Sequence, residues 1–406
     1  MAERILILDP GFISGEGHHL GVSGMLGAAA IELGHEPTLV ANARSPLSTI
    51  SYETFEVPVA ALLPQSPYPG SGTRTLDELL AFNERAYQQL VDLPDYLFEK
   101  PVRVLVHTTN EIQVLGLAQW LSEQIGNGER VKSAVVALMM PPPIIRKADG
   151  IAEEDAAICE IYRRALRILS ATKNVEILGI GATIAEDHAQ SAAIKVGIGG
   201  ALIGGINRTL GEKSESELPR ILLYMGDAKL DKGLHMLPDI ITRLRKRGAA
   251  AKFVIHLSGS MVERYGWIIE RIKNAAKDDD RFEIMEGRLG EQTYYDLWDT
   301  SDAVVLCYHP GVYARKTSGI CWDAMNRGIP AVAIADTWHM LELSRYHYPV
   351  VPSPAFLAVP LVNAILSMIG QLPALSQAAI EGRERFRTAN DPKLYITKLL
   401  DKVAAE

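Results

Sequence analysis

Two runs of short apolar segments alternating with helix-length amphipathic ones, separated by the polar stretch GEKSESE at 211–217, constrain this chain more than any other feature. In the first run strands are expected at 4–8, 37–41, 102–106, 133–138 and 175–180, with helices at 20–33, from Thr75 toward Glu99, from Asn110 and at 153–170. Thr75 and Glu78 form a capping-box pair, and Gly34 suits a left-handed helix exit. A loop rich in proline and glycine is expected over 58–72. In the second run strands are expected at 220–224, 253–257, 282–285, 303–306 and 331–334, with helices at 233–246, 261–276, 291–299 and 318–327. Strands separated by helices build parallel sheets, so the fold class expected is α/β, with two Rossmann-like doubly wound domains facing a cleft. The polar stretch reads as their linker, with residues 1–210 on one side and 219–372 on the other.

Composition narrows the function classes. The 406 residues exceed one ordinary core, and 48% hydrophobic with 22% charged residues is ordinary for a soluble folded chain, which excludes disordered and fibrous classes. A net charge of −8 argues against a general nucleic-acid binder, so any anion site must be local. Cys159, Cys307 and Cys321 have no CxxC spacing and read as buried thiols. No apolar stretch approaching the roughly 18 to 20 residues of a bilayer span is expected, which points to the cytoplasm or the inner face of its membrane. Arg243, Arg245, Lys246 and Arg247 read as a solvated helix end, with peripheral contact to anionic lipid as the second reading.

In open α/β sheets ligands bind beyond the carboxyl ends of the strands, and four such loops stand out. The first, GFISGEGHH, carries Gly15, Gly17, His18 and His19; its glycines do not fit GxGxxG, and no acid follows the second strand, which disfavours NAD. The second places His107 at a strand end, where it could donate to a sugar hydroxyl. The third, GDAKLDKG, runs from Gly226 through Lys229 to Lys232 and Gly233, and sets a lysine before an expected helix, a suitable place for a diphosphate. The fourth, YHPGVYARKTSGICWDAMNRGIP, puts Arg315 and Lys316 before Thr317, Ser318 and Gly319 at a helix start, a phosphate nest, with Asp323 one turn on and able to accept from ribose hydroxyls.

At this fourth segment the chain resembles the GT-B glycosyltransferases, especially the retaining family 4-like group of bacterial polysaccharide enzymes. Ser301 and Asp302 precede the strand, and Asp323, Ala324, Met325, Gly328 and Pro330 match the end of that group's acidic motif; Gly226, Lys232 and Gly233 match its glycine–lysine motif. The resemblance implies that Asp323 contacts the ribose, that Lys232 binds the donor diphosphate, and that His107 lies near the donor sugar. It implies that Gly15 and Gly17 belong to an N-terminal glycine loop, and that the helical segment 373–406 crosses back to the first domain. Two positions depart from the pattern, Asp227 standing for an arginine and Arg315 for the first glutamate.

The expected activity is metal-independent and cofactor-free transfer of a sugar from a nucleotide diphosphate sugar to a glycan, lipid-linked or small-molecule acceptor. Lys232, Arg315, Lys229, Lys316 and the Ser318/Gly319 amides would stabilise the departing phosphate. Asp278–Asp280 reads as a surface turn and not as a metal clasp. Retention is implied by the resemblance, but His19 or the acceptor-side His18 stands where inverting GT-B enzymes carry a base, so inversion stays open. A sugar-nucleotide epimerase, a phosphorylase or synthase, and a non-catalytic nucleotide-sugar-binding pseudo-transferase are the rival readings.

Overall fold

The computed structural model describes residues 2–14, 18–68, 74–127, 130–147, 150–204, 218–259 and 262–401. The expected linker at 211–217 lies outside them, as do Gly15 and Gly17. The chain divides into two compact units, Met1–Gly205 with Asn390–Glu406, and Ile206–Ala389.

The first unit contains β1 (Arg4–Asp9), α1 (His18–Glu32), β2 (Glu36–Asn42), β3 (Thr49–Tyr52), β4 (Phe55–Leu63), α2 (Leu76–Val91), β5 (Val102–Val106) and α3 (Val114–Gly126). It continues with β6 (Val131–Leu138), β7 (Ile144–Lys147), β8 (Gly150–Glu153), α4 (Ala156–Ala171), β9 (Val175–Ile180), α5 (Ala182–Ala192) and β10 (Gly197–Gly199). Eight strands form one sheet in the order β10-β9-β6-β5-β1-β2-β4-β3. All pair in parallel except β3, which runs antiparallel to β4. A parallel strand covered by helices on both faces must be apolar throughout, and every residue of β5 is buried.

Residues 58–63, expected to open a loop, instead belong to β4. The stretch FEVPVAALL buries Val57 and Leu63 and pairs with β2 and with the short β3. Pro58 lies opposite Thr49 in the outermost pair of the sheet, where a missing backbone N–H is tolerated. The capping box at α2 forms as expected: Glu78 N donates to Thr75 Oγ1 at 3.3 Å and Thr75 N donates to Glu78 Oε2 at 2.8 Å.

The second unit contains β11 (Arg220–Tyr224), α6 (Leu237–Lys246), β12 (Lys252–Leu257), α7 (Gly266–Ala276), β13 (Phe282–Glu286), α8 (Glu291–Asp299) and β14 (Ala303–Leu306). After these come α9 (Pro310–Tyr313), α10 (Gly319–Arg327), β15 (Ala331–Ile334), α11 (Trp338–Arg345), β16 (Val350–Ser353) and α12 (Ala358–Ala389). Its six strands are all parallel, in the order β13-β12-β11-β14-β15-β16. Asp302 ties two of them at their start, its Oδ2 accepting from Arg220 N at 2.8 Å.

The expected helix 233–246 begins later, at Leu237, because Gly233 adopts φ +80° and separates two 3-10 turns, Leu230–Lys232 and Leu234–Met236. A side chain at Gly233 would meet Cys307, since a Cβ there would lie 2.4 Å from its Sγ. Gly233→Ala is therefore expected to lower unfolding free energy by about 2–4 kcal/mol, combining left-handed strain with overpacking; urea titration checks it.

The chain returns to the first unit at Asn390, later than the expected 373, because α12 runs through Pro373 and stays with the second unit. The final helix α13 (Lys393–Asp401) is tied down there: the Leu399 carbonyl accepts from Ser133 Oγ at 2.7 Å and from Arg103 at 3.0 Å, and Lys393 pairs with Glu32 at 2.6 Å. The expectation of no span-length apolar stretch is corrected by α12, which starts the one helix among the described residues that is long and apolar enough to cross a membrane. Its Leu361, Val362, Ile365 and Met368 are buried in the core of the second unit.

Candidate functional site

In each sheet the strand order reverses beside the first strand, between β1 and β5 and between β11 and β14, and ligands collect at such switch points. All four singled-out loops follow these four strands.

In the first unit β1 ends on Asp9, whose carboxylate is fully buried. Burial alone would raise its pKa, but the imidazoles of His107 and His19 outweigh that and hold it far below the usual carboxylate range. Oδ1 lies 2.8 Å from His19 Nδ1 and accepts from Gly11 N at 3.0 Å; Oδ2 accepts from Ser23 Oγ at 2.8 Å and lies 3.2 Å from His107 Nε2. An ionised carboxylate only accepts, so His19 carries a proton on Nδ1, and in the neutral ring Nε2 keeps its lone pair. Nε2 lies 2.7 Å from the hydroxyl of the exposed Tyr68, which donates to it. This is the geometry of an oriented general base.

His107 does not have the free N–H expected of a sugar contact. It is fully buried, its Nε2 is 2.9 Å from Ser23 Oγ and its Nδ1 2.9 Å from Thr108 Oγ1, so both nitrogens are engaged inside the unit. Its place just beyond an all-buried strand explains this, and it leaves Nε2 against the Asp9 carboxylate. His18 is exposed in the first turn of α1, its ring 5.8 Å from that of His19.

In the second unit Gly226, at φ +97°, follows β11 by two residues, and the Lys232 ammonium lies over it; a Cβ on Gly226 would sit 3.8 Å from Nζ. Lys232 Nζ also lies 5.7 Å from the centre of the Tyr308 ring. Burial, followed by nearby charges that include Lys229 and Lys316, lowers its pKa against the pull of Asp227 and Asp231. A partly desolvated ammonium among other cations favours an anion. Lys229 is spent differently from the expectation, paired at 2.9 Å with Asp227, the acid at the family's arginine position.

Arg315 is half-buried and Lys316 exposed, its Nζ 5.2 Å from the Tyr313 ring centre. The expected Ser318 hydroxyl contact is redirected: Ser318 is buried, and its Oγ donates to Tyr308 Oη at 3.2 Å. That leaves the start of α10, at the exposed Gly319, without a side-chain cap, so an anion can take the amides. Thr317 is half-buried just before it. Under Tyr308 stacks the fully buried His339, ring centres 4.2 Å apart, its pKa lowered to about 3 by burial and by Lys232.

Asp323 accepts from Tyr294 Oη at 2.6 Å, and burial pushes its carboxyl up to about 6 against the Tyr294 hydrogen bond and Arg327. Leu230, Asp231, His235, His309, Val312 and Phe356 line an open cavity of about 390 Å³. Asp279 accepts from Arg281 and pairs with Arg245, in keeping with a surface turn. Cys159, Cys307 and Cys321 are free and buried. Among the described residues no three His, Cys, Asp or Glu side chains are grouped to hold a metal ion.

No family model matches this sequence, and no curated protein does. Solved structures match along its whole length. Sucrose-phosphate synthase from Thermosynechococcus elongatus is 14% identical with a TM-score of 0.63, covering 99% of each chain. HepE from Anabaena in complex with UDP is 12% identical with a TM-score of 0.64, over 99% of this chain and 100% of that one. Trehalose 6-phosphate synthase from Burkholderia multivorans is 11% identical at 0.64, over 100% of both.

The chain has the GT-B glycosyltransferase fold. Within that fold, the loops that carry the described site residues follow the strands at the switch points of the two sheets. Asp9, Ser23, Tyr68, Tyr294 and His339 were not singled out. For Asp9 there was a signal, an acid closing the apolar strand RILILD at a carboxyl end; for Tyr294, 29 residues from its partner, there was none.

Proposed function

We propose that this chain is a glycosyltransferase that moves a sugar from a nucleoside diphosphate sugar to a hydroxyl acceptor, using neither metal nor other cofactor. The observation that carries the reading is the Lys232 ammonium, partly desolvated and held over Gly226 beside Tyr308, at the switch point of a GT-B second sheet. Breaking the glycosidic bond places growing negative charge on the departing diphosphate, and a preorganised cation with open helix amides stabilises it. Lys316 and Arg315 add positive charge from the loop after β14, Asp323 accepts from the ribose hydroxyls, and the cavity walled by His235, His309 and Phe356 receives the sugar. The full-length similarity to sucrose-phosphate and trehalose 6-phosphate synthases supports the class.

The resemblance to family 4-like enzymes implies retention. The Asp9–His19 pair favours inversion, because Nε2 of such an imidazole can take the acceptor's hydroxyl proton, with Tyr68 or solvent released from it. The anomer of the product, read by NMR, decides between them.

The direct test is a thermal-shift screen of UDP, GDP and ADP, followed by turnover of the corresponding sugar nucleotides with and without sugar acceptors. Acceptor-dependent release of nucleoside diphosphate supports transfer. Conversion of the donor sugar without acceptor identifies an epimerase, binding without any turnover a pseudo-transferase, and binding of none of the three overturns the reading.

Asp323 adds a pH dependence. Its carboxylate is the ionised acceptor above about 6 and is lost as pH falls through that value. Affinity for the nucleoside diphosphate is expected to drop about three- to tenfold between pH 7.5 and 5.5 beyond any change seen with inorganic pyrophosphate, as calorimetry would register; equal changes for both would remove Asp323 from ribose binding.

A further inference from the structure

We infer that Tyr294 is a positioning residue for recognition of the donor's ribose diol, acting through Asp323; this rests on the reading of Asp323 above. The acid at this position is an aspartate, one methylene shorter than the glutamate of the resembled motif, so its carboxylate stops about 1.5 Å short of where a glutamate's would reach. A short carboxylate must be aimed to be useful. On α10 the Asp323 side chain could otherwise swing between staggered rotamers and turn toward Arg327, one helical turn on, whose charge acts on it.

The phenol of Tyr294, reaching over from α8, prevents that swing. Its hydroxyl donates to Oδ2 at 2.6 Å, the length of a charge-assisted bond, and among the described residues it is the one hydrogen-bond donor to that carboxylate. Arg327 is drawn off by Asp299, with which it pairs, and stacks over Tyr295, its guanidinium 5.0 Å from the ring centre. Tyr294 itself is braced by the fully buried Trp298, one turn on, ring centres 6.3 Å apart. Asp323 and Tyr294 both stay partly exposed, so the pair can meet a ligand. With Oδ2 held by the phenol, Oδ1 is the acceptor left for a ribose hydroxyl, and the fixed rotamer makes its position definite. The unit that reads the sugar of the nucleotide is thus a Tyr–Asp pair drawn from two helices.

The test is calorimetric, on the full chain, with the nucleoside diphosphate among UDP, GDP and ADP that the wild type binds best and with its 2′-deoxy and 3′-deoxy counterparts. Tyr294→Phe keeps the ring and deletes the hydroxyl. The expected result is about fivefold to twentyfold weaker binding of the ribonucleotide, no more than twofold change for the deoxy compound that wild type disfavours, and collapse of the ribo/deoxy ratio. In turnover the donor KM rises by a similar factor while kcat at saturating donor changes less than twofold. Asp323→Ala separates the two claims. If it lowers the ribo/deoxy ratio and Tyr294→Phe does not, the role of Tyr294 is overturned while Asp323 stands. If Asp323→Ala leaves the ratio unchanged, the ribose reading of Asp323 is itself overturned. A melting temperature lowered in Tyr294→Phe with an unchanged ratio marks the phenol as merely structural and also overturns the inference.

Discussion

Replacing Lys232 with alanine is expected to lower kcat/KM for the sugar nucleotide by about 10²- to 10³-fold, the cost of deleting one preorganised charge from a site where negative charge develops. The size of the effect follows from the setting. A solvated surface lysine would be worth little, because water and salt screen it. Lys232 is instead partly desolvated, backed by Gly226 and the ring of Tyr308, and has no carboxylate within ion-pair distance among the described residues, Asp227 being paired with Lys229. Its charge is therefore available to a ligand. Lys232→Arg restores charge but not shape, and is expected to recover only part of the loss. Circular dichroism and melting temperature should be nearly unchanged, since Lys232 is the last residue of a 3-10 turn closed by backbone hydrogen bonds and its side chain anchors no core. Steady-state kinetics within threefold of wild type would sink the assignment.

The strand–helix rhythm was legible because each buried parallel strand is a bounded apolar run; β11, α8, β14 and β15 begin and end where the sequence places them. Boundaries slipped where one residue's backbone overrode the periodicity. Gly233, at φ +80°, delays α6, and Pro58, suggestive of a loop, is accommodated in a strand paired at the edge of the sheet. Site loops were legible from position, since strand ends at a switch point are where ligands bind. Side-chain roles within them were not, because they depend on which partner each side chain turns to once the chain is packed, and near and far partners compete for it. His107 is fully engaged by Ser23, 84 residues away, and by Thr108; Ser318 turns to Tyr308 instead of capping its helix; Asp227 neutralises Lys229. Asp227, standing where the resembled pattern has an arginine, pairs with Lys229, and the proposed function accordingly rests on Lys232.

Asp9 carries the second large expected effect, because one buried carboxylate serves two imidazoles, a serine and a backbone amide. Asp9→Ala strands these donors in a buried pocket and is expected to cost about 3–5 kcal/mol of stability, the range for breaking a buried ionic network from one side. Asp9→Asn keeps the volume, but its amide N–H₂ must face a donor on one side, so His19 loses either its orientation or the tautomer that leaves Nε2 basic. Loss of kcat by about 10²- to 10⁴-fold is expected even where the variant stays folded. The pH dependence separates the two consequences. The Asp9 carboxyl has a folded pKa well below its value of about 3.8 in the unfolded chain, so its stabilisation is complete above that value and fades only as pH falls toward the folded one. The stability gap between wild type and Asp9→Asn should therefore be constant from pH 8 to 5 and narrow below about 4, in urea titrations across that range. A gap that already closes between pH 7 and 5 would mean that the Asp9 carboxyl takes up its proton there and is not the ionised partner of the cluster, and would remove the case for His19 as an oriented base.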